Sequence, residues 1–411
     1  MIILTFDELY KELLKDELGD DIPEEIECDP YHLDCLLHPE KHPVVIKTDS
    51  CHSCENGSPC AQSCIFDAIV PDGKGGLKIE PDKCTGCAAC IDACKSGKIT
   101  ASRDILPAMK AVRKSGKRSY ALIAPAFLGQ FSENVTPGML RSAFKQLGFT
   151  GMIEVALFAD ILTLKEALEF DRHIHTKNDY QLTSCCCPMW IAMIRKIYKE
   201  LVPHVPGAVS PMIACGRVIK KMFPDSVTVF VGPCLAKKSE AREPDIKDAV
   251  DYVLTFQEVH DIFEAAGIDP SVMPESDKDH SSRAGRIYAA SGGVSEAVKC
   301  TLERLNPNRE IKIKTVQVDG VKACKEMIEK LKKGELEGNF FEGMGCTGGC
   351  VGGPKIIIDR EEGRKRVMRY GDEAPFLTPP ENPYVIELLK RLGFNTVYDL
   401  VEKSDIFTRE F

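Results

Sequence analysis

Residues 183–190 read Thr-Ser-Cys-Cys-Cys-Pro-Met-Trp and form the first of three short cysteine motifs that decide how this chain is interpreted. The other two are residues 232–238, Gly-Pro-Cys-Leu-Ala-Lys-Lys, and residues 344–350, Met-Gly-Cys-Thr-Gly-Gly-Cys. Each motif places thiols among small or rigid residues. Because cysteine thiolates hold iron–sulfur clusters, the three motifs together can supply the four ligands of one cubane cluster.

The composition indicates a metal-thiolate protein of a reducing compartment. The chain has 411 residues, 19 cysteines and a formal net charge of −9. Disulfide-rich scaffolds are short, whereas these cysteines occur in CxxC runs and glycine-rich turns, which favours a cytoplasmic protein. We expect no signal peptide, and no apolar run reaches the ~20 residues that span a bilayer. The acidic balance and the lack of a basic stripe argue against a nucleic-acid partner.

Strand-like and helix-like patterns alternate from about residue 105 onward. This alternation predicts an α/β fold with mainly parallel sheets flanked by helices. An N-terminal helix should end at Leu18, and residues 339–341 should also be extended. The remaining predictions are strands at 120–124, 227–231, 252–255, 287–290 and 311–318, helices at 137–147 and 321–333, and a proline-rich turn at 375–383.

Eight cysteines between residues 49 and 104 follow iron–sulfur spacing. The run from Cys84 to Cys94 has the spacing of bacterial 4Fe-4S ferredoxins, and the run from Cys51 to Cys64 is similar, with three extra residues. In two-cluster ferredoxins the fourth cysteine of each run ligates the other cluster. Two zinc sites are the alternative, although interlocked spacing is commoner for iron–sulfur clusters. We therefore predict one cluster on Cys51, Cys54, Cys60 and Cys94, and a second on Cys84, Cys87, Cys90 and Cys64.

Two further thiols, Cys28 and Cys35, are predicted to lie in a loop rich in histidine and proline. They match no partner in the CxxC runs. We favour a structural thiol pair, and the alternative is a third cluster or metal site that also uses His32.

Residues 105–411, about three quarters of the chain, resemble the catalytic domain of FeFe-hydrogenases. The family signatures TSCCPxW, xPCxxKxxE and ExMxCxxGCxxGG correspond here to TSCCCPMW, GPCLAKKSE and FEGMGCTGGCVGG, in the same order. The resemblance implies a modular chain with an acidic segment at 1–48, a small ferredoxin-like α+β domain with two 4Fe-4S clusters at 49–104, a catalytic domain at 105–366, and a helical tail packed on it at 367–411.

The resemblance also implies an H-cluster, in which a 4Fe-4S cube is joined to a two-iron unit carrying CO, cyanide and a dithiolate. The implied ligands are Cys187, Cys234, Cys346 and Cys350, with Cys350 as the bridge between the two parts. Glycines in these motifs allow the backbone to approach a bulky inorganic group. The residues implied to line the cofactor are Ala124, Pro125, Gly232, Pro233 and Gly349.

Further roles follow from the same resemblance. Lys237 matches the lysine that hydrogen-bonds a cyanide, whereas we expect Lys238 at the surface. Met344 matches a methionine beside the two-iron unit, with simple core filling as the alternative. Glu166 and Glu169 match relay glutamates that bring protons to the site, with a solvated helix face as the alternative.

The first motif holds one more cysteine than the family pattern. Aligned from Pro188, Cys187 is the ligand, Cys186 the proton relay and Cys185 a replacement for serine; aligned from Thr183, Cys186 is the ligand and Cys185 the relay. We prefer the first alignment because Pro188 and Trp190 fix the turn after the ligand. The additional thiol is hypothesised to cap the open iron site against oxygen.

The outer end of the proton route also differs from the family. A serine of that route aligns near Pro206, so we expect His173, His175 or another thiol in its place.

The matches imply a cytoplasmic, monomeric FeFe-hydrogenase of a branch with a TSCCCP motif, which exchanges protons and electrons for H2. They also imply a ferredoxin-type electron carrier and dedicated maturation proteins as partners. No dinucleotide fingerprint follows a strand, so a bound NAD or flavin is not expected. The alternative is a sensory or iron–sulfur assembly relative with little or no turnover, while a plain electron-transfer protein would leave the large domain unexplained.

Overall fold

A computed structural model describes residues 4–19, 27–49, 58–73, 76–183, 186–276, 280–402 and 404–411. Its β-strands are β1 (Val45–Lys47), β2 (Ile69–Pro71), β3 (Leu77–Ile79), β4 (Ile99–Ala101), β5 (Ser119–Ile123), β6 (Gly151–Glu154), β7 (Gln181–Leu182), β8 (Val227–Gly232), β9 (Tyr252–Thr255), β10 (Thr315–Asp319) and β11 (Phe340–Met344).

The helices lie between and around these strands. In chain order the α-helices are α1 (Phe6–Leu18), α2 (Pro30–Leu37), α3 (Pro59–Gln62), α4 (Ala89–Ala93), α5 (Ile105–Lys114), α6 (Pro137–Gln146), α7 (Ala156–His173), α8 (Pro188–Lys196), α9 (Pro211–Met222), α10 (Ala236–Ala241), α11 (Phe256–Ala265), α12 (Arg283–Arg286), α13 (Gly293–Leu305), α14 (Val321–Lys332), α15 (Arg360–Asp372), α16 (Pro383–Arg391) and α17 (Asp399–Glu402).

The larger sheet of the main domain is parallel and has the order β6-β5-β8-β9. All six residues of β8 are buried, and helices α9 and α11 pack against this strand. Strands covered on both faces are apolar without alternation, which explains the continuous Val-Thr-Val-Phe-Val run of β8. The chain leaves β5 toward β6 on one side and reaches β8 on the other, so the carboxyl ends of β5 and β8 lie beside a topological switch point, where α/β sheets form their sites.

A second parallel sheet has the order β10-β11-β7. Strand β7 ends immediately before the first cysteine motif, and β11 ends at Met344, within the third. The backbone N–H of Thr183 donates to Phe341 O at 2.9 Å, which extends the pairing of these strands into the first motif. The α/β architecture with parallel sheets flanked by helices is therefore confirmed.

The ferredoxin-like region has its own small core. Strand β1 pairs with β4 and β2 pairs with β3, both antiparallel. Its core includes Val44, Val45 and Leu235, and Leu235 belongs to the second cysteine motif of the large domain. Since β1 (Val45–Lys47) pairs with β4, the predicted boundary at 48/49 separates this strand from the unit to which it belongs.

Several predictions of local structure were wrong. Residues 287–290 do not form a strand, because Ile287–Ala289 is a 3-10 helix that continues α12. This short apolar run is buried, and burial alone does not distinguish a strand from a helix. Strand β10 starts at Thr315 and is shorter than predicted, and the proposed boundary at 366/367 falls inside α15.

The N-terminal segment also differs from its prediction. Cys35 lies in α2 rather than in a loop, because Pro30 occupies the first turn and Asp29 caps it by accepting from Tyr31 N–H. The side chain of Cys35 is buried against Tyr31. No helix among the described residues is long and apolar enough to cross a membrane.

Candidate metal centre

Four cysteines from the three motifs converge at the carboxyl ends of β7, β8 and β11. They are Cys187, Cys234, Cys346 and Cys350, and each lies within electrostatic range of the other three. Burial, followed by the neighbouring thiolates, raises the pKa of Cys234 to about 11 and that of Cys350 to about 12. A cation bound among these four cysteines, here called the cage, would deprotonate their thiols.

Glycines bring the backbone unusually close around these thiols. A Cβ on Gly353 would stand 2.9 Å from Pro233 O, and one on Gly349 would stand 2.7 Å from Ser291 N. Gly349 also has a φ of +86°, a conformation that side chains rarely adopt. The contact of Gly353 with Pro233 joins the third motif to the second. Both positions require glycine, because a side chain would clash with the neighbouring backbone.

Close contacts fix the ends of β5 and β8 beside the four cysteines. Ala124, at the end of β5, donates its N–H to Val231 O at 2.8 Å, and Pro125 starts a 3-10 helix. A Cβ on Gly232 would stand 3.1 Å from Ala124 Cβ. These contacts hold Pro233 and Cys234 at the switch point of the larger sheet.

Lys237 is buried one helical turn after Cys234. Its ammonium donates to Glu240 Oε2 at 2.6 Å, and its charge opposes the rise in the pKa of Cys234. Lys237 also lies within electrostatic range of Cys186. A cation held at this position can hydrogen-bond an anionic group bound beside these thiols.

The prediction that Lys238 lies at the surface was wrong. Its side chain is fully buried and donates to Glu258 Oε1 at 2.9 Å, with Asp104 Oδ1 3.4 Å away. The same Glu258 oxygen accepts from the backbone N–H of Asp104 at 3.1 Å. Lys238 therefore ties the end of the ferredoxin-like region to the large domain.

Cys186 and Glu166 are both in the interior and lie within electrostatic range of each other. Burial raises the pKa of Cys186 well above its usual value, and Cys187, Glu166 and Glu342 add to the effect. Glu166 is buried on α7, so it does not belong to a solvated helix face. The arrangement places an ionisable thiol and a carboxylate next to the cage.

Glu169, one turn further along α7, is also buried and leads toward the surface. Its carboxylate contacts Lys165 Nζ at 2.6 Å and His173 Nδ1 at 3.4 Å. The side chain of His173 is 60% exposed. His175 instead contacts its own chain through Nε2 and Arg172 O at 2.7 Å, so His173 is the histidine that connects Glu169 to solvent.

Lys165 lies beside the segment around Pro206, where a serine of the family's proton route aligns. Its buried ammonium donates to Gly207 O at 3.3 Å as well as to Glu169. A buried cation therefore lies beside Glu169, and the sequence analysis did not predict it.

Three other residues beside the cage were missed. Tyr288 lies within electrostatic range of Glu166 and Cys186 and accepts from Thr163 Oγ1 at 2.9 Å. Its position was hidden by the incorrect strand prediction. Glu342 accepts from Gly292 and Ser295 N–H at the start of α13, as a helix N-terminus favours.

Cys324 is the third missed residue and lies on α14, outside any motif. Burial, followed by Cys187, raises the pKa of its thiol to about 12. Met344 is buried at the end of β11, and its carbonyl accepts a hydrogen bond from Cys324 Sγ at 3.4 Å.

A second group of four thiols lies in the ferredoxin-like region. Cys64, Cys84, Cys87 and Cys90 are all within electrostatic range of one another. Burial, and then Cys87 and other thiols of the group, raise the pKa of Cys90 to about 12. These are the four residues that were assigned to one cluster by their interlocked spacing.

The spread of the thiols is larger than a zinc site requires. A tetrahedral zinc with Zn–S distances of ~2.3 Å holds its sulfurs roughly 3.8 Å apart. In the part of the chain that the structure describes, no three cysteine sulfurs lie within 4.8 Å of one another.

The remaining predicted ligands can be placed only in part. Cys60 is buried and Cys94 is partly exposed with its thiol 3.4 Å from Ser96 Oγ. Cys51, Cys54 and Cys185 lie outside the described residues.

The two groups of thiols adjoin each other. Cys87 of the ferredoxin-like group is within electrostatic range of Cys346 of the main group. Thr85 Oγ1 donates to Met189 Sδ at 3.2 Å, and Gly86 packs against Leu235 and Ala236. Clusters held by these thiols would face each other across a closely packed junction.

Comparisons with known proteins indicate the family of this chain. A family model described as iron-only hydrogenase large subunit, C-terminal domain, matches residues 117–354. The chain is 26% identical to the NADP-reducing hydrogenase subunit HndD of Solidesulfovibrio fructosivorans, over 83% of this chain and 69% of that protein. It is 25% identical to cytosolic iron-sulfur assembly component 3 of Rattus norvegicus, over 78% of this chain and 82% of that protein.

The fold is shared with solved structures. FeFe-hydrogenase HydA1 from Chlamydomonas reinhardtii superimposes with a TM-score of 0.62 at 22% identity, over 75% of this chain and 98% of that chain. Because the family model matches more than half of the chain, this protein belongs to the family of iron-only hydrogenase large subunits, through their C-terminal domain.

Proposed function

We propose that this protein is an FeFe-hydrogenase that interconverts H2 with protons and electrons at an H-cluster. The observation that carries the proposal is the convergence of Cys187, Cys234, Cys346 and Cys350, with Lys237 and Cys186 beside them. In this assignment the four thiolates would hold a 4Fe-4S cube, and Cys350 would also contact the two-iron unit. The cofactor, when bound, supplies the bond chemistry, and the chain supplies orientation and charge.

The residues around the cage have separate roles in this proposal. Lys237, already paired with Glu240, offers its other N–H groups to an anionic ligand of the two-iron unit. Met344 and Trp190 are buried and help to exclude water from the site. Cys186 would be the relay thiol that holds and passes on a proton, and Cys187 would be the ligand.

Protons reach Cys186 through buried groups of α7 in this proposal. Glu166 lies beside Cys186, and Glu169 continues the route to the exposed ring of His173. Proton transfer needs positioned groups in sequence, and α7 provides two carboxylates and a histidine with the spacing of successive turns.

Electrons enter through the ferredoxin-like region. We assign one 4Fe-4S cluster to Cys64, Cys84, Cys87 and Cys90 because these thiols form a group that adjoins Cys346. The second cluster would use Cys51, Cys54, Cys60 and Cys94 and receive electrons from a ferredoxin-type carrier. Maturation proteins would install the two-iron unit in a cytoplasmic, monomeric protein.

The third cysteine of the first motif gives a separate hypothesis. Three adjacent thiols exceed the one ligand and one relay that the site needs, and in this hypothesis the additional thiol would cap the open iron position against oxygen. Loss of activity in air at the wild-type rate in both Cys185→Ala and Cys186→Ala would contradict this role.

A second function is favoured by one comparison. Cytosolic iron-sulfur assembly component 3 matches over most of its length at an identity close to that of the hydrogenases. A sensory or assembly protein with little turnover would keep the thiol cages but would not need the two-iron unit.

Infrared spectroscopy separates the two functions. The protein is produced together with hydrogenase maturation proteins under anaerobic conditions, and a spectrum is recorded before and after exposure to H2. Iron-bound CO and cyanide bands that change under H2 are expected for the enzyme. A matured protein with full iron–sulfur content but without these bands would favour the assembly or sensory function.

A further inference from the structure

The peptide group between Met344 and Gly345 connects a fifth buried thiol to the main cage. Cys324 Sγ donates to the carbonyl of Met344 at 3.4 Å. The N–H of Gly345 belongs to the same planar peptide group and donates to Cys187 Sγ at 3.3 Å. The two hydrogen bonds therefore form a chain from α14, through one amide, to a cysteine of the cage.

The surroundings hold this amide in place independently of Cys324. The Met344 carbonyl also accepts from Gly320 N–H at 2.9 Å, which uses its second lone pair. The register of β10 and β11 pairs Asp319 with Met344 and fixes the strand ends. Removal of the Cys324 thiol would leave the Met344 carbonyl still hydrogen-bonded. The contribution of the thiol is therefore electrostatic rather than structural.

Hydrogen bonds in series strengthen one another, because each donation polarises the next amide. Donation from Cys324 draws electron density toward the Met344 oxygen and makes the Gly345 N–H a stronger donor. A stronger N–H···S bond stabilises the additional negative charge that a cluster gains on reduction, and hydrogen bonds to sulfur are among the factors that set cluster potentials.

We propose that Cys324 is a positioning residue that raises the reduction potential of the cube through the Met344–Gly345 amide and Cys187. The inference rests on the proposed ligand role of Cys187. Cys324 acts from outside the cage as a hydrogen-bond donor, and the cage retains its four other thiols.

The test is a redox titration of the cube, followed by electron paramagnetic resonance, in full-length protein with reconstituted iron–sulfur clusters and no two-iron unit. The signal of this cube is the one that disappears in Cys346→Ala. We expect Cys324→Ala to shift its midpoint potential downward. Cys324→Ser keeps a donor at this position and should hold the potential closer to wild type than alanine does.

Cys215→Ala is the matched control. Cys215 is equally buried on α9, but its pKa is raised by burial alone, with no cage thiol among the causes. Its loss should leave the potential unchanged. Cys324→Val, which preserves more side-chain volume, replaces alanine if the alanine variant does not fold.

Different outcomes overturn different claims. A wild-type potential in Cys324→Ala and Cys324→Val overturns the inference, and so does a serine variant that shifts as far as alanine. If no cluster signal is lost in Cys346→Ala, the proposed ligand set itself fails, and the potential of the Cys324 variants has no bearing on that result.

Discussion

Gly345 and Met189 pack so closely that a Cβ on the glycine would stand 2.4 Å from Met189 Cβ. The same glycine donates its N–H to Cys187 Sγ. We expect Gly345→Ala to push α8 and the third motif apart and to cost about 1–3 kcal/mol, as overpacking of a tight interior does. The cube should be lost or depleted, which iron analysis and electron paramagnetic resonance would measure.

Gly151→Ala is the control for this substitution. A Cβ at Gly151 meets only Tyr120 Cδ1, at 3.9 Å, which is an ordinary contact. Wild-type iron content in Gly345→Ala would show that the close approach does not support the cage.

Lys238 connects two carboxylates in the interior, and its removal should be costly. Lys238→Ala removes the cation that contacts Glu258 Oε1 at 2.9 Å, whereas Asp104 keeps Arg242, and a buried pair broken from one side costs ~3–5 kcal/mol. The free energy of unfolding from denaturant titration would measure the loss. Lys199→Ala, at an exposed lysine, should change that free energy by no more than about 0.5 kcal/mol. Equal effects of the two substitutions would contradict the assigned role of Lys238.

Lys238 also shows a limit of prediction from the sequence. Lys237 and Lys238 are adjacent and chemically identical, and only the first lies in a recognisable motif position. The partners of Lys238 are distant in the chain, at Asp104 and Glu258, and no local pattern announces such a pair. Strand β8 was predictable because a buried parallel strand carries its signal within six residues.

The candidate site divides in a similar way. Cys64, Cys84, Cys87 and Cys90 have meaningful spacing, and the structure places them together. Cys324 has no spacing to reveal it, because its relation to Cys187 depends on how α14 packs beside β11. A sequence motif reveals cysteines that bind one ligand together, because their spacing is characteristic. A residue that acts through a neighbouring amide has no characteristic spacing, so the sequence does not reveal it.

Glu169 and His173 should control the supply of protons to the site. Glu169→Gln removes the ionisable carboxylate while it keeps the volume, and general acid–base groups contribute typically ~10²–10⁴-fold. We expect H2 evolution with a reduced viologen to fall by at least about tenfold in Glu169→Gln and less in His173→Gln, because solvent can partly replace an exposed ring. The cofactor bands in the infrared should remain.

His175→Gln is the matched control for the histidine, since His175 contacts Arg172 O rather than Glu169. Wild-type turnover in Glu169→Gln, with the cofactor fully loaded, would exclude α7 as the proton route. A loss of the infrared bands would instead show that the substitution disturbs the cofactor.

Gly86 should govern the passage of electrons between the two cages. It has a φ of +73°, and a Cβ would stand 3.1 Å from Ala236 Cα and Leu235 O, on the far side of the junction. Gly97→Ala is a matched control because Gly97 also has a positive φ, of +66°, but a Cβ there meets nothing within 4 Å.

Both substitutions carry a similar backbone strain, and only Gly86→Ala presses the ferredoxin-like region away from Leu235 and Ala236. Electron tunnelling weakens with separation, so Gly86→Ala should slow reduction of the main cube by electrons that enter at the N-terminal clusters. Rapid-freeze electron paramagnetic resonance after mixing with a reduced ferredoxin would follow that step. Equal rates in the Gly86→Ala and Gly97→Ala variants would mean that strain, rather than contact across the junction, limits the transfer.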